Sequence, residues 1–160
     1  MERIIVLSDV HGSTRALRWV LENEPADAVF FLGDGLRDLQ RAREEMAVPL
    51  QCPVYQVRGN CDAGWPDPAE GLAPFGGVLF FYTHGHAYGV KSGTDRLAAF
   101  AGERGADVAL YGHTHRRALT RGQFGMATVF NPGSLYDDGS YGVIEIQDGG
   151  CKFGWKRLSL

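Results

Sequence analysis

Short apolar runs alternate with helical segments along the first third of the chain. Ile4–Ser8, Ala28–Leu32 and Val54–Val57 are rich in β-branched or aromatic residues, which is typical of buried strands. Between them, Ser13–Glu24 carries apolar residues at helical spacing, and Leu36–Met46 is a helix pattern rich in Arg, Glu and Gln. This βαβαβ order predicts a parallel sheet with helices on its faces.

The rest of the chain is organised differently. Cys61–Glu70 contains glycine and proline and is predicted to be a loop. A strand over Val78–Thr83, a helix over Ser92–Arg104 and a strand over Val108–Tyr111 follow it. The helical period then disappears, and the remaining strand patterns are Arg116–Thr120, Met126–Phe130, Tyr141–Ile146 and Cys151–Leu158. We expect one α/β domain over residues 1–160, with two packed sheets and the helices outside.

Composition and charge narrow the class of protein. With 44% hydrophobic residues and a net charge of -3, the chain is not of the disordered class. Its pI of about 5.9 argues against a dedicated nucleic-acid binder.

The apolar runs are far shorter than the roughly 18 residues of a membrane span, and we expect no secretory signal. Three cysteines without a CxxC pair favour the reducing cytoplasm. An exposed sheet edge or apolar helix face would support a homodimer or tetramer.

The five histidines fall into three groups, and each group directly follows a predicted strand. His11 follows the first strand, His84 and His86 follow Val78–Thr83, and His113 and His115 follow Val108–Tyr111. Ligand sites in open α/β sheets gather at the carboxyl ends of the strands. The histidines are therefore candidates for a shared site.

Acidic and amide residues occupy the same kind of position. Asp34 follows the second strand beside Gly33, and the segment Gly59-Asn60-Cys61-Asp62 follows the third. Asp9 and His11 form a D-x-H pair, and in extended backbone residues i and i+2 point the same way. His113 and His115 form an H-x-H pair after Val108–Tyr111. These two histidines would either bind one ion together or each bind a different ion.

This set of donors predicts a metal centre. Imidazole, carboxylate and amide oxygen together suit Mn, Fe, Zn, Ni or Co. Two metals about 3.5–4 Å apart need a bridging ligand, and Asp34 is the natural bridge because it has two carboxylate oxygens. One D-x-H pair alone would be weak evidence, but five strand ends carrying His, Asp or Asn beside glycine point to a metal site.

In order and spacing, these motifs resemble the calcineurin-like metallophosphoesterase superfamily. The matching segments are D-x-H at Asp9, G-D at Asp34, G-N-x-D at Asn60, H-G-H at His84 and G-H-T-H at His113. The later N-P-G-S segment and the cysteine in G-N-C-D are similar to the small YfcE-like phosphodiesterases of that superfamily. The resemblance implies a two-sheet αββα sandwich.

The resemblance also implies the ligands of two divalent metals. Asp9, His11 and His115 would hold the first, Asn60, His84 and His113 the second, and Asp34 would bridge them. Manganese is the first choice, with Ni, Co, Fe or Zn as alternatives. A metal-activated hydroxide would attack phosphorus in line. Asp34, Asn60, His84 and Asp62 are the residues we expect to be catalytic.

Four residues near these motifs have open roles. Cys61 stands where many members have a histidine that serves as acid to the leaving group, and it either ligates metal or packs beside the site. Asp62 either orients a ligand histidine or caps the following loop. Arg58 either holds substrate phosphate or pairs with an acid such as Asp62. His86 is expected in an outer layer of the site or on its rim, within reach of substrate.

The sequence thus predicts a metal-dependent phosphodiesterase acting on a small phosphoester. A phosphomonoesterase or nucleotidase would use the same metal centre. A non-catalytic scaffold, as in a retromer subunit of the same fold, is the alternative from another class. Its metal-site pattern is degraded, whereas every expected ligand is present here.

Overall fold

The computed structural model describes residues 1–158. Its strands are β1 (Glu2–Leu7), β2 (Ala28–Phe31), β3 (Val54–Gln56), β4 (Glu70–Phe75), β5 (Val78–Thr83), β6 (Val108–Leu110), β7 (Arg117–Thr120), β8 (Thr128–Pro132), β9 (Ser140–Gln147) and β10 (Gly150–Arg157). Its α-helices are α1 (Thr14–Asn23), α2 (Leu36–Glu45), α3 (Asp95–Glu103) and α4 (Leu135–Asp138). Two short 3₁₀ helices, His86–Tyr88 and Val90–Ser92, precede α3.

The strands form two five-stranded mixed sheets. The first has the order β10-β9-β1-β2-β3 and the second the order β4-β5-β6-β8-β7. In the first sheet β1, β2 and β3 are parallel, and in the second β5, β6 and β8 are parallel. The expected α/β fold with two packed sheets is therefore confirmed.

The side chains of each central strand are buried on both of its faces. Ile4 and Val6 of β1 face the second sheet and pack in a core that includes Phe80 and Phe130. Ile5, between them, belongs to the outer cluster beneath α1 and α2. A third cluster lies between α3 and the outer face of the second sheet. The layers are thus α, β, β and α, and hydrophobic burial on four faces holds them together.

Besides the two 3₁₀ helices, one strand and one α-helix depart from the predicted pattern. Glu70, predicted as the end of a loop, begins β4, an edge strand antiparallel to β5. Gly71 and Pro74 are unfavourable in strands, so the sequence pattern does not predict this one. Proline is tolerated there because an edge strand forms backbone hydrogen bonds to a neighbour on one side only. The short helix α4 was also not predicted. None of the helices in the described residues is long and apolar enough to cross a membrane.

Candidate metal centre

The five predicted segments meet where the carboxyl ends of parallel strands from both sheets come together. The loop after β1 is tied to the loop after β2, because Asp9 N–H donates to Gly33 O at 3.0 Å. The loop after β6 is tied to β5, because Gly112 N–H donates to His84 O at 2.9 Å. Asn131 Nδ2 donates to Gly112 O at 3.2 Å, so β8 also holds the G-H-T-H loop. These bonds fix the loops that carry the candidate ligands.

Five of the seven candidate ligands adopt left-handed backbone conformations. Among them, φ is positive for Asp9 (56°), His11 (41°), Asp34 (58°), His113 (71°) and His115 (64°). The extended-backbone argument for the D-x-H pair is therefore wrong, although the two side chains do converge. Such conformations cost of order 1–3 kcal/mol each in non-glycine residues and cluster at functional sites.

One donor group consists of Asp9, His11 and His115, whose ligand atoms lie within 4.8 Å of one another. Asp9 is fully buried, and its Oδ2 accepts hydrogen bonds from the Ser8 hydroxyl and from the His113 N–H. Its Oδ1 has no hydrogen-bond partner among the described residues. That oxygen lies 3.2 Å from His115 Nε2 and 3.6 Å from His11 Nε2. A buried carboxylate oxygen that lies beside imidazole nitrogens and has no hydrogen bond of its own fits a cation, since a buried polar atom without a partner is costly.

The second donor group consists of Asp34, His84 and His113, again within 4.8 Å. His84 is fully buried, and its Nδ1 donates to the Leu32 carbonyl at 2.7 Å. That bond leaves Nε2 facing the site, 3.2 Å from Asp34 Oδ2 and 3.3 Å from His113 Nδ1. Burial disfavours the charged imidazole, but the neighbouring carboxylates outweigh burial and raise the pKa of His84. The H-x-H pair thus divides between the two groups.

Asp34 belongs to the second group and also faces the first. Its Oδ2 is 3.2 Å from His84 Nε2 and 3.7 Å from His11 Nε2, and its Oδ1 accepts from the Cys61 N–H at 2.8 Å. Burial alone would raise the pKa of Asp34, but the hydrogen bond and charge of His84 lower it far below its usual range. Gly59 is required here, because a Cβ at this position would collide with the Asp34 carboxylate. An ionised carboxylate facing both groups is suited to bridge two cations.

Asn60 and Cys61 occupy the loop that wraps around Asp34. Both are exposed, and Asn60 Nδ2 lies 3.6 Å from Cys61 Sγ. Cys61 Sγ is within 4.8 Å of ligand atoms of His11 and Asp34, so it stands beside the donor groups. Burial, followed by the charge of Asp34, raises the pKa of the Cys61 thiol. A protonated thiol is a weak metal ligand.

Asp62 acts on the backbone. Its carboxylate accepts hydrogen bonds from the N–H groups of Asp34, Gly35, Leu36 and Gly59, at 2.7–3.1 Å. One expectation for Asp62 is that it orients a ligand histidine. This expectation is wrong, because the four backbone bonds occupy both carboxylate oxygens and no histidine of the described residues bonds to them. Asp62 instead ties the Asp34 loop and the start of α2 to its own loop, so it positions Asp34.

Arg58 and His86 lie at the edge of the site. Arg58 is exposed and donates to the Asp67 carbonyl, so the expected pairing with Asp62 is not formed. The His86 ring is exposed, with its centroid 5.5 Å from that of His84 and 6.1 Å from that of His113. Burial and the charge of His84 lower the pKa of His86. His86 is thus a rim residue.

Helix α4 contributes two side chains that the sequence reasoning missed. Asp137 Oδ2 lies 2.5 Å from His115 Nδ1, the contact by which a carboxylate fixes a metal-binding imidazole. Tyr136 is 58% exposed, and its ring meets that of His11 edge-on at 5.9 Å. Ser134 caps the helix by accepting from Asp137 N–H and also donates to Asp9 O. The S-x-x-D spacing from Ser134 to Asp137 was the available signal, because it is a helix-start motif.

The fold and these donor groups together define an α/β protein with a candidate metal centre at the joined strand ends. A model of the calcineurin-like phosphoesterase superfamily domain matches residues 2–149, and the chain belongs to this family. This confirms the resemblance seen in the motifs.

Named relatives and solved structures agree with this membership. The chain is 32% identical to phosphodiesterase YfcE of Escherichia coli K12, over 91% of this chain and 88% of that protein. A predicted phosphoesterase from Streptococcus pneumoniae has a similar structure, with a TM-score of 0.77 and 28% identity over 96% and 88% of the two chains. Vps29 of Chaetomium thermophilum has a TM-score of 0.72 at 16% identity over 99% and 97%, a likeness of fold alone.

Proposed function

We propose that this protein is a dinuclear-metal phosphoesterase and that it prefers diesters. The observation that carries the proposal is the pair of adjacent donor groups built from ligands of both sheets, with Asp34 of the second group also 3.7 Å from His11 of the first. Positive φ angles at five of the residues involved support it, because such strain is retained where function requires it.

The residues of the two donor groups would hold the metals. Asp9, His11 and His115 would bind one ion, and His84 and His113, with Asn60, the other, while Asp34 bridges. Manganese is our first choice, and Ni, Co, Fe and Zn also suit this mixed nitrogen and oxygen set. Divalent metals bound there would supply a water activated near neutral pH and would neutralise charge on the phosphoryl oxygens.

The chain itself orients these groups and the substrate. Leu32 O holds the His84 ring in one tautomer, and the Asp62 carboxylate holds the backbone on either side of Asp34. Asn60 is exposed at the site, so its amide nitrogen can also reach a phosphate oxygen. Cys61 stands in place of a proton-donating histidine, which favours esters whose leaving group departs without strong acid assistance.

The preference for diesters is tested by restoring metal to chelated protein. Mn, Ni, Co, Zn or Mg would be added singly, with bis-p-nitrophenyl phosphate as the diester and p-nitrophenyl phosphate as the monoester. We expect metal-dependent cleavage, faster on the diester. Asp34→Asn and His84→Ala should abolish it, whereas Asp148→Asn, in an exposed turn, should retain it.

Two other results would change the assignment. Faster cleavage of the monoester would favour a phosphatase or nucleotidase with the same centre. Folded protein that binds two metal ions and cleaves neither ester would contradict the enzyme and favour the scaffold. A scaffold would bind a partner stoichiometrically, with no loss in Asp34→Asn.

A further inference from the structure

A polar cleft opens beside the histidines of the G-H-T-H loop. It has a volume of about 360 Å³ and is lined by Lys91, His113, Thr114, His115, Arg116 and Asp137. His113 belongs to one donor group and His115 to the other, so this cleft adjoins both parts of the candidate metal centre.

Two cationic side chains line this cleft without an ion pair to any described residue. Lys91 and Arg116 are both exposed, and within residues 1–158 neither side chain forms an ion pair or a hydrogen bond. The acid of the cleft, Asp137, is engaged by His115 Nδ1. The cleft therefore presents two cations on a protein whose net charge is -3.

Some cationic side chains of the described residues have partners and others, such as Arg41 and Lys152, have none, so what sets Lys91 and Arg116 apart is their place in the cleft beside His113 and His115. Arg3 pairs with Glu24, and Arg157 pairs with Asp138. Arg18 is paired with acids of α1 and α2. An ammonium and a guanidinium beside a phosphoester centre are the groups that bind phosphate oxygens in proteins.

We propose that Lys91 and Arg116 bind a second phosphate of the substrate, next to the phosphate that is cleaved. This proposal rests on the proposed function, because the scissile phosphate is taken to lie on the donor groups. The substrate class would be a phosphodiester that also carries a terminal phosphate, as in a phosphorylated nucleotide ester. The Arg116 guanidinium would donate hydrogen bonds to two oxygens of the second phosphate, and the Lys91 ammonium would add a positive charge beside it.

The test uses two esters that differ only in the second phosphate. Thymidine 5′-(p-nitrophenyl phosphate) would be compared with the same ester bearing a 3′-phosphate, since both release p-nitrophenol. In the double variant Lys91→Ala with Arg116→Ala, we expect kcat/KM to fall at least about tenfold for the 3′-phosphorylated ester. The ester without that group should change less than about twofold. The matched control is Lys152→Ala with Arg41→Ala, two exposed cations outside the cleft, and should resemble the wild type on both esters.

Three outcomes would overturn the proposal. An equal loss on both esters would place the cations on the scissile phosphate, and no loss on either would make them ordinary surface charges. If the wild type cleaves neither of these esters nor bis-p-nitrophenyl phosphate, the proposed function fails, and calorimetry then tests the cations alone. In that measurement the double variant should lose the binding advantage of thymidine 3′,5′-bisphosphate over thymidine 5′-monophosphate, and an unchanged advantage would contradict the proposal.

Discussion

At the scale of single residues, the proposed function makes Cys61 the residue that would decide how a leaving group departs. Its Sγ lies beside His11 and Asp34, at the position where the family resemblance implies a histidine. Burial and the charge of Asp34 raise the pKa of this thiol. A group with a high pKa transfers its proton poorly near neutral pH, so the thiol gives little acid assistance.

Cys61→His should therefore help esters with poor leaving groups most. We expect a gain of about tenfold or more for alkyl-type leaving groups and little change for p-nitrophenol, because general acids contribute most when the leaving group needs a proton. The measurement is kcat/KM for a series of diesters against the pKa of the leaving alcohol, with Cys61→Ser as control. An unchanged dependence in a folded, metal-loaded variant would show that this position does not face the leaving group.

Asp137 provides a second test at the residue scale. Asp137→Ala removes the carboxylate that lies on His115 Nδ1, so the ring loses its fixed orientation. Loss of such partners typically weakens metal binding about 10- to 100-fold. Titration with Mn against a chelating dye measures the change. The neighbouring Asp138→Ala breaks only an exposed pair with Arg157 and should bind metal as the wild type does. Equal affinities in the two variants would contradict the role of Asp137.

At the scale of elements, Glu24 joins the end of α1 to three adjacent strands of the first sheet. Its carboxylate accepts hydrogen bonds from Arg3 on β1, Tyr141 on β9 and Lys156 on β10, at 2.8–3.0 Å. Burial alone would raise the pKa of Glu24, but these three donors outweigh burial and lower it. Burial of the phenol and its hydrogen bond to Glu24 raise the pKa of Tyr141 to about 12. The ionised carboxylate thus stabilises the folded chain.

Glu24→Gln should destabilise the protein in a pH-dependent way. A carboxyl group whose pKa is lowered by folding contributes stability above its unfolded pKa and loses it as the pH falls through the folded value. Urea unfolding of chelated protein should show a loss of about 1–2 kcal/mol at pH 7, and the difference from the wild type should shrink below about pH 4. Glu22→Gln, in an exposed pair with Arg18, should cost less than about 0.5 kcal/mol. A difference that stays constant with pH would contradict this account.

Helices and strands that depend on a local sequence pattern were predictable from the sequence. The buried apolar strands β1 and β2 and the amphipathic helix α1 have local patterns that match their observed bounds within two residues. Strand β4 was missed because its pairing with β5 is a long-range contact that overrides Gly71 and Pro74. Helix α4 was missed because it is four residues long and depends on its Ser134 cap.

The candidate site likewise has features that the sequence predicts and features that depend on long-range contacts. The residues that converge were predictable, because the carboxyl ends of parallel strands must meet. Their backbone was not, since the left-handed conformations of Asp9 and His11 arise from bonds to the Asp34 loop, as in the donation from Val10 N–H to Asp34 O. The same holds for Asp62, whose partners lie 26 to 28 residues away for three of its four bonds.

At the scale of the whole molecule, the candidate centre spans the two sheets. Asp9, His11 and Asp34 belong to loops of the first sheet, and His84 and His113 to loops of the second. Without a cation, buried carboxylates and imidazoles at this junction are an electrostatic cost, and Asp9 Oδ1 is the clearest case. Bound metal would remove that cost and would also join the two sheets.

Metal binding should therefore stabilise the whole fold. With Mn at one hundred times its dissociation constant, linkage predicts about 2.7 kcal/mol of added stability and a rise in Tm of about 5–10 °C for a chain of this size. Scanning calorimetry of chelated and reloaded protein measures this rise. Because Asp34 faces both donor groups, Asp34→Asn should lose most of the rise, whereas Asp148→Asn should keep it. Hydrogen exchange should slow upon loading in β2 and β6 together, since the ligands follow strands of both sheets. Slower exchange in only one sheet would mean that the metal does not join them.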